Sequence, residues 1–234
     1  MNKEEFLKEI QKLNIKLTDT MLHQLEEYAD FLLAYNEHTN LTAIKTKEEV
    51  YLKHFYDSLT LVKIANFQNG KLLDVGTGAG FPGLVLAIVF PNLKVTLLDS
   101  NNKKITFLNE CIERLHLQNV QTVYSRAEDY TRAHREYYDF VTSRAVAELR
   151  ILLELNIPAL KVNGNFLVMK GKLEEELEKA LNTMKILNCK ILTQEKFNLP
   201  NNGGTRTLMS IIKEKETDKK YPRTYDKIKK KPIG

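Results

Sequence analysis

Leu73-Asp74-Val75-Gly76-Thr77-Gly78-Ala79-Gly80-Phe81-Pro82-Gly83 is the stretch on which the reading of this 234-residue chain turns. An apolar run enters it, four glycines punctuate it, and the apolar stretch Leu84 to Phe90 leaves it. The entering run reads as a strand and the leaving run as a buried helix, because glycines between short apolar runs mark a βα junction. The leaving run is seven residues long. That is far short of the roughly 20 needed to cross a bilayer. Glycines at the carboxyl end of a strand let the backbone approach a ligand closely.

The pattern repeats downstream. Strands are predicted at 71–75, 94–99, 120–124, 140–143, 164–170, 190–197 and 207–213. Between them lie helical stripes: Ile105, Leu108, Ile112 and Leu115, then Leu173, Leu177, Leu181 and Met184. Strands alternating with helices imply an α/β fold with a doubly wound, mostly parallel sheet. Asn198 to Arg206 leaves no room for a crossover helix, so the last strand pairs antiparallel. Upstream, the first 65 residues read as helices. Glu5 stands in capping-box position after Asn2, Thr18 caps a second stripe, and Thr46 with Glu49 opens a third helix over 50–64. The expected organisation is a helical extension (1–65), a sheet domain (66–213) and a basic tail (214–234).

Composition narrows the classes. Hydrophobic residues are 43% and charged residues 28%, which excludes a mostly disordered chain. Cys111 and Cys189 are too few for a disulfide framework and lack the spacing of a zinc site. The charged start, MNKEEFLKEI, carries no apolar signal core, so a cytoplasmic protein is expected. The net charge is +5, and residues 213–234 hold nine Lys/Arg against four Asp/Glu, so the first 212 residues are neutral. A basic tail reads either as a solvated terminus or as an arm that seeks phosphate.

Two nucleotide readings fit the glycine loop. Gly78-x-Gly80-x-x-Gly83 matches the dinucleotide fingerprint. Asp74-x-Gly76-x-Gly78-x-Gly80 matches the acidic-Gly-x-Gly-x-Gly loop of S-adenosylmethionine (SAM) enzymes. A dinucleotide brings an anionic pyrophosphate, which seeks a helix N-terminus without a nearby carboxylate. SAM brings a sulfonium and an ammonium, both cationic, so Asp74 favours SAM. Asp99 ends the second strand, where an acid can accept both hydroxyls of a ribose; the alternative is an N-cap for the next helix. Ala127-Glu128 follows the third strand, where an adenine would lie; alternatively Glu128 is a first-turn acid favoured by the helix dipole.

With these residues in view, the chain resembles the RsmG (GidB) family. The resemblance rests on the 74–83 loop, Asp99-Ser100, Ser125-Arg126-Ala127-Glu128, Ser143-Arg144-Ala145-Val146-Ala147 and Lys170-Gly171. It extends to Asn40-Leu41-Thr42, His54-Phe55-Tyr56-Asp57-Ser58-Leu59 and Tyr221-Pro222-Arg223. Lys53 and Thr224-Tyr225-Asp226 depart from the family pattern. The resemblance implies a Rossmann-like SAM-dependent methyltransferase of bacterial small-subunit ribosomal RNA. It would methylate N7 of the guanine at position 527, in the 530 loop of 16S rRNA. It implies SAM contacts at Gly76, Phe81, Ala127, Glu128 and Arg144. With Gly78, Asp99 and Ser100 these make up the expected cofactor set. The expected partner is 16S rRNA or the small ribosomal subunit, met by a monomer with no metal and no membrane.

The chemistry agrees with N7. No Asn/Asp-Pro-Pro-aromatic loop follows the fourth strand, as an exocyclic-amine acceptor would call for. Neither cysteine lies at a strand end to act as nucleophile. Guanine N7 has a free lone pair and no proton, so positioning suffices, and no catalytic acid, base or nucleophile is assigned. Arg144 faces the acceptor side, His54 and Asp57 share a helix face, and Lys170 is placed to meet an RNA phosphate. A nicotinamide-dependent oxidoreductase and a non-catalytic RNA-binding module are the competing classes.

Overall fold

The computed structural model describes residues 1–144, 147–171 and 173–234. Ala145 and Val146 of the 143–147 motif lie outside the described residues. The strands are β1 (Gly70–Val75), β2 (Leu93–Asp99), β3 (Val120–Tyr124), β4 (Tyr138–Arg144), β5 (Leu160–Lys170), β6 (Cys189–Asn198) and β7 (Thr205–Lys213). They form one sheet in the order β3-β2-β1-β4-β5-β7-β6. β1 to β5 run parallel to one another, and β7 is antiparallel to both β5 and β6. The fifth strand begins at Leu160, four residues before its expected start. The four added residues precede a bulge: Tyr138 pairs with Leu160 and Phe140 with Asn165. Asn163 takes the left-handed backbone (φ 68°) that the bulge requires.

Alternation along the strands buries both faces of the sheet. Leu72, Leu97, Leu167 and Leu208 point into one core, with α5 (Gly83–Val89) and the N-terminal helices α1 (Lys3–Lys12) and α2 (Asp19–Thr39). Leu73, Leu98, Val168 and Met209 point into the other. There they meet α7 (Ala127–Ala133), α8 (Leu149–Asn156) and α9 (Glu174–Ile186). α6 (Asn102–Arg114) covers the first face beside α2. On α9 the buried stripe is Leu173, Ala180, Met184 and Leu187, with Leu177 half-buried, and Leu181 is 49% exposed. The expected stripe drifted to 181, a position that the 3.6-residue period turns toward solvent.

The Asn2–Glu5 capping box forms, and the Thr18 side chain accepts from Met21 N. The third helix is not regular. α3 (Lys47–Glu49) leads into a π-helix (Val50–Tyr56), then α4 (Asp57–Leu59) and a 3-10 turn (Thr60–Lys63). The aromatic cluster explains why this stretch must aim its side chains inward. Tyr51 and Phe55 meet edge to face at 5.4 Å, and both pack on Phe6.

The segment after β7 is not a free arm, which corrects the expected tail. Lys213 is fully buried; its ammonium donates to Glu136 (2.5 Å) and to the Ile157 and Leu160 carbonyls. Tyr221 and Thr217 are buried, and the short helix α10 (Tyr225–Lys230) lies on α8. Neither a solvated terminus nor a free arm describes it: the anchors between the lysines, Thr217, Tyr221 and Ile228, fold the segment back.

Candidate functional site

The sheet changes direction at β1, which has β2 on one side and β4 on the other. A crevice at the carboxyl ends of such strands is where a doubly wound fold binds ligand. Here it is a cleft of about 520 Å³. Gly76, Gly78, Phe81, Asp99, Ser100, Ala127, Glu128 and Arg144 all stand on its wall. So do Leu41 and Thr42 from the loop after α2, His54 from the π-helical turn, Lys104 from α6, and Tyr225 from α10.

Most of the loop's backbone donors are engaged within the protein. Gly76 N and Thr77 N donate to Leu98 O at 2.8 and 3.1 Å, and Gly80 N and Phe81 N donate to Thr77 O. Gly78 N donates to Asp99 Oδ2 at 3.0 Å. Gly83 N, at the head of α5, donates to Asp74 Oδ2 at 2.8 Å, and Thr77 Oγ1 does the same at 2.8 Å. A Cβ at Gly83 would lie 2.5 Å from Leu97 Cδ2 and 2.8 Å from Asp74 Oδ2, so only glycine closes this contact. Asp74 is thus fully buried under the loop and off the cleft wall, contrary to the expectation that it faces a ligand cation. Burial pushes its pKa up to about 6, against the pull of Thr77 and Gly83. The carboxylate still separates the two nucleotide readings, by a different route. It occupies the N–H that a pyrophosphate would need at the helix head.

Asp99 sits at the end of β2, 6% exposed. Its Oδ1 accepts from Asn101 N (2.9 Å) and its Oδ2 from Gly78 N and, at 3.4 Å, Lys104 Nζ. The helix cap is Asn101, whose side chain accepts from Lys103 N. Gly78 has φ +63°, and a Cβ built on it meets nothing within 4 Å, so this face of the loop is open. Glu128 lies buried in the first turn of α7.

Arg144, at the end of β4, is held from several sides. Its Nη1 donates to Lys53 O (3.1 Å) and lies 3.6 Å from Asp57 Oδ2, and its Nη2 lies 3.0 Å from His54 Nδ1. A guanidinium only donates, so His54 Nδ1 accepts, and Nε2 carries the proton toward Thr42 Oγ1 at 3.0 Å. Burial and the adjacent Arg144 charge hold the His54 pKa down at about 3. The imidazole stacks on Phe81 at 4.0 Å, and Arg144 lies over the same ring at 5.3 Å. Asp57 also accepts from Arg206 Nε at 2.9 Å. Burial raises the Asp57 pKa more than the two arginines lower it.

The rRNA small subunit methyltransferase G model (GidB) matches residues 21–205. A ribosomal RNA small subunit methyltransferase G of Lactobacillus helveticus is 45% identical over 239 aligned positions, covering all of both chains. One from Lactococcus lactis is 46% identical over 238, again end to end. The chain belongs to the rRNA small subunit methyltransferase G family. Solved structures extend the likeness in fold. A 16S rRNA (adenine(1408)-N(1))-methyltransferase from Catenulisporales acidiphilia superposes with a TM-score of 0.53 at 16% identity, over 64% of this chain and 87% of that one. TrmN from Thermus thermophilus gives 0.54 at 17% identity, over 67% and 48%.

Within this methyltransferase, Lys170 does not reach outward for a phosphate. Its ammonium donates to Ala147 O at 2.8 Å and pairs with Glu176. His54 and Asp57 do converge, on Arg144, by way of the π-helical turn. Among the wall residues that local reading left without a cofactor role are Leu41, Thr42, Lys104 and Tyr225. Leu41 and Thr42 were visible only as a family motif, and Tyr225 only as a departure from one.

Proposed function

We propose that this protein transfers the methyl group of SAM to N7 of a guanine in 16S rRNA, at position 527 as the family resemblance implies. SAM supplies an electrophilic methyl on a sulfonium. The donor set suits it. Asp99 can accept the ribose hydroxyls, Ala127 and Glu128 border the adenine end, and Arg144 can meet the methionine carboxylate. The loop N–H groups named above are already engaged, which leaves the helix head unfit for pyrophosphate.

The observation that carries the acceptor assignment is the surrounding of Arg144. The titratable groups that touch it are an imidazole of pKa about 3 and a doubly paired buried carboxylate. The imidazole stays neutral at neutral pH, and each oxygen of the carboxylate already faces an arginine. An acceptor with its own lone pair and no proton to lose fits this wall. The protein's part is to fix the two reactants in line, an effect that can supply roughly 7–11 kcal/mol. Lys227, Lys229, Lys230 and Lys231 are exposed on or just beyond α10, whose Tyr225 reaches the cleft, so RNA phosphates would be met beside the cofactor.

Calorimetry with SAM and with NADH is the first test: SAM binds and NADH does not. Methyl-tritiated SAM should then label small-subunit rRNA and leave large-subunit rRNA unlabelled. NADH binding in place of SAM would reject the reading.

A further inference from the structure

Tyr225 is the first residue of α10, and it borders the cleft from outside the sheet. Three contacts fix it there. Ile228, nearly one turn on, is fully buried against Ile151 and Leu155 of α8, and Ala127 packs on the same cluster. Arg223 donates from Nε and Nη2 to the two oxygens of Glu154, at 2.8 and 2.7 Å, and from its backbone N at 2.9 Å. Glu154 has no exposed surface, so this fork is paired inside the protein. Arg223 Nη2 also donates to Lys231 O at 2.9 Å, which ties the two ends of α10 together.

The ring is therefore held at the Ala127–Glu128 end of the cleft. The Arg126 guanidinium lies 5.6 Å from its centroid, and Leu152 and Leu155 supply apolar wall beside it. An adenine offers a flat π-face, and a tyrosine matches it with large area and few rotors. We infer that Tyr225 is a cofactor-contact residue that covers the adenine of SAM, so the C-terminal segment forms one wall of the cofactor site and turns its lysines outward. The inference rests on the SAM reading given above.

The test is calorimetry on the full chain with two ligands, SAM and adenosine, for wild type, Tyr225→Phe and Tyr225→Ala. Tyr225 is only half-buried, so both variants should fold, and a melting curve checks this. Stacking on a base predicts that Tyr225→Ala weakens both ligands about tenfold. Tyr225→Phe should stay within about twofold, because the ring is kept. Equal affinities for Ala and wild type would overturn the inference. So would a loss for SAM with none for adenosine, which would put the ring at the methionine end. Failure of wild type to bind SAM would instead strike the reading on which it rests.

Discussion

The Asp99 carboxylate, proposed above to receive the ribose hydroxyls, already accepts the Gly78 N–H at 3.0 Å. Asp99 thus shapes the glycine loop as well as facing the cleft. Asp99→Ala should weaken SAM binding by about 1.5–3 kcal/mol, the scale of hydrogen bonds to a charged group. Asp99→Asn keeps an acceptor for Gly78 and should lose less. Calorimetry that shows Asn and Ala equal would assign the effect to charge alone. Arg144 depends on its plane: one fork reaches Lys53 O, His54 and Asp57 at once. A lysine there is a point charge, so Arg144→Lys should lower kcat while the melting temperature moves little. His54 stays neutral because its pKa lies near 3. With SAM and RNA saturating, kcat should show no step between about pH 6 and 9 that His54→Asn removes. Such a step would mean that a proton carrier takes part.

At the scale of elements, the β1–α5 junction is built over Asp74, whose folded pKa of about 6 lies above the ordinary 3.8. A raised acid favours its protonated form in the folded state. That stability is fully present below 3.8 and is lost as pH rises through 6. Asp74→Asn has no such loss. Its stability relative to wild type should therefore rise across this window by about 3 kcal/mol at most. Urea titrations of both proteins at a series of pH values read the difference directly, and other groups cancel in it. The junction was legible in sequence because strand, glycines and helix are consecutive. So were the seven strands and the cleft-facing positions at their ends. The π-helical turn was not, since periodicity assumes one regular helix and takes no account of Arg144, 90 residues away from His54. Nor was the role of Asp74: the motif places an acid at the loop without saying which way the carboxylate points.

Across the whole molecule, the C-terminal segment changes meaning once its partners are seen. Charge arithmetic made it a separable arm, but its arginine neutralises a carboxylate 69 residues upstream. Truncation after Lys213 would leave Glu154 buried without Arg223, a cost of about 3–5 kcal/mol. The melting temperature should fall sharply, and an unchanged melt would show that the anchor is idle. RNA contact is better tested with Lys227, Lys229 and Lys230 changed to Gln. If each meets one phosphate, the slope of log affinity against log salt should flatten by about 2 units. In the mechanism proposed here, positioning alone carries a SAM methyl to guanine N7 in small-subunit rRNA. The direct measurement is to label 16S rRNA with the protein and SAM, then map N7-methylguanine by reduction and aniline cleavage. One cleavage site is expected, in the 530 loop, absent without SAM. Methyl found on an exocyclic amine, on a ribose or on no nucleotide at all would contradict it.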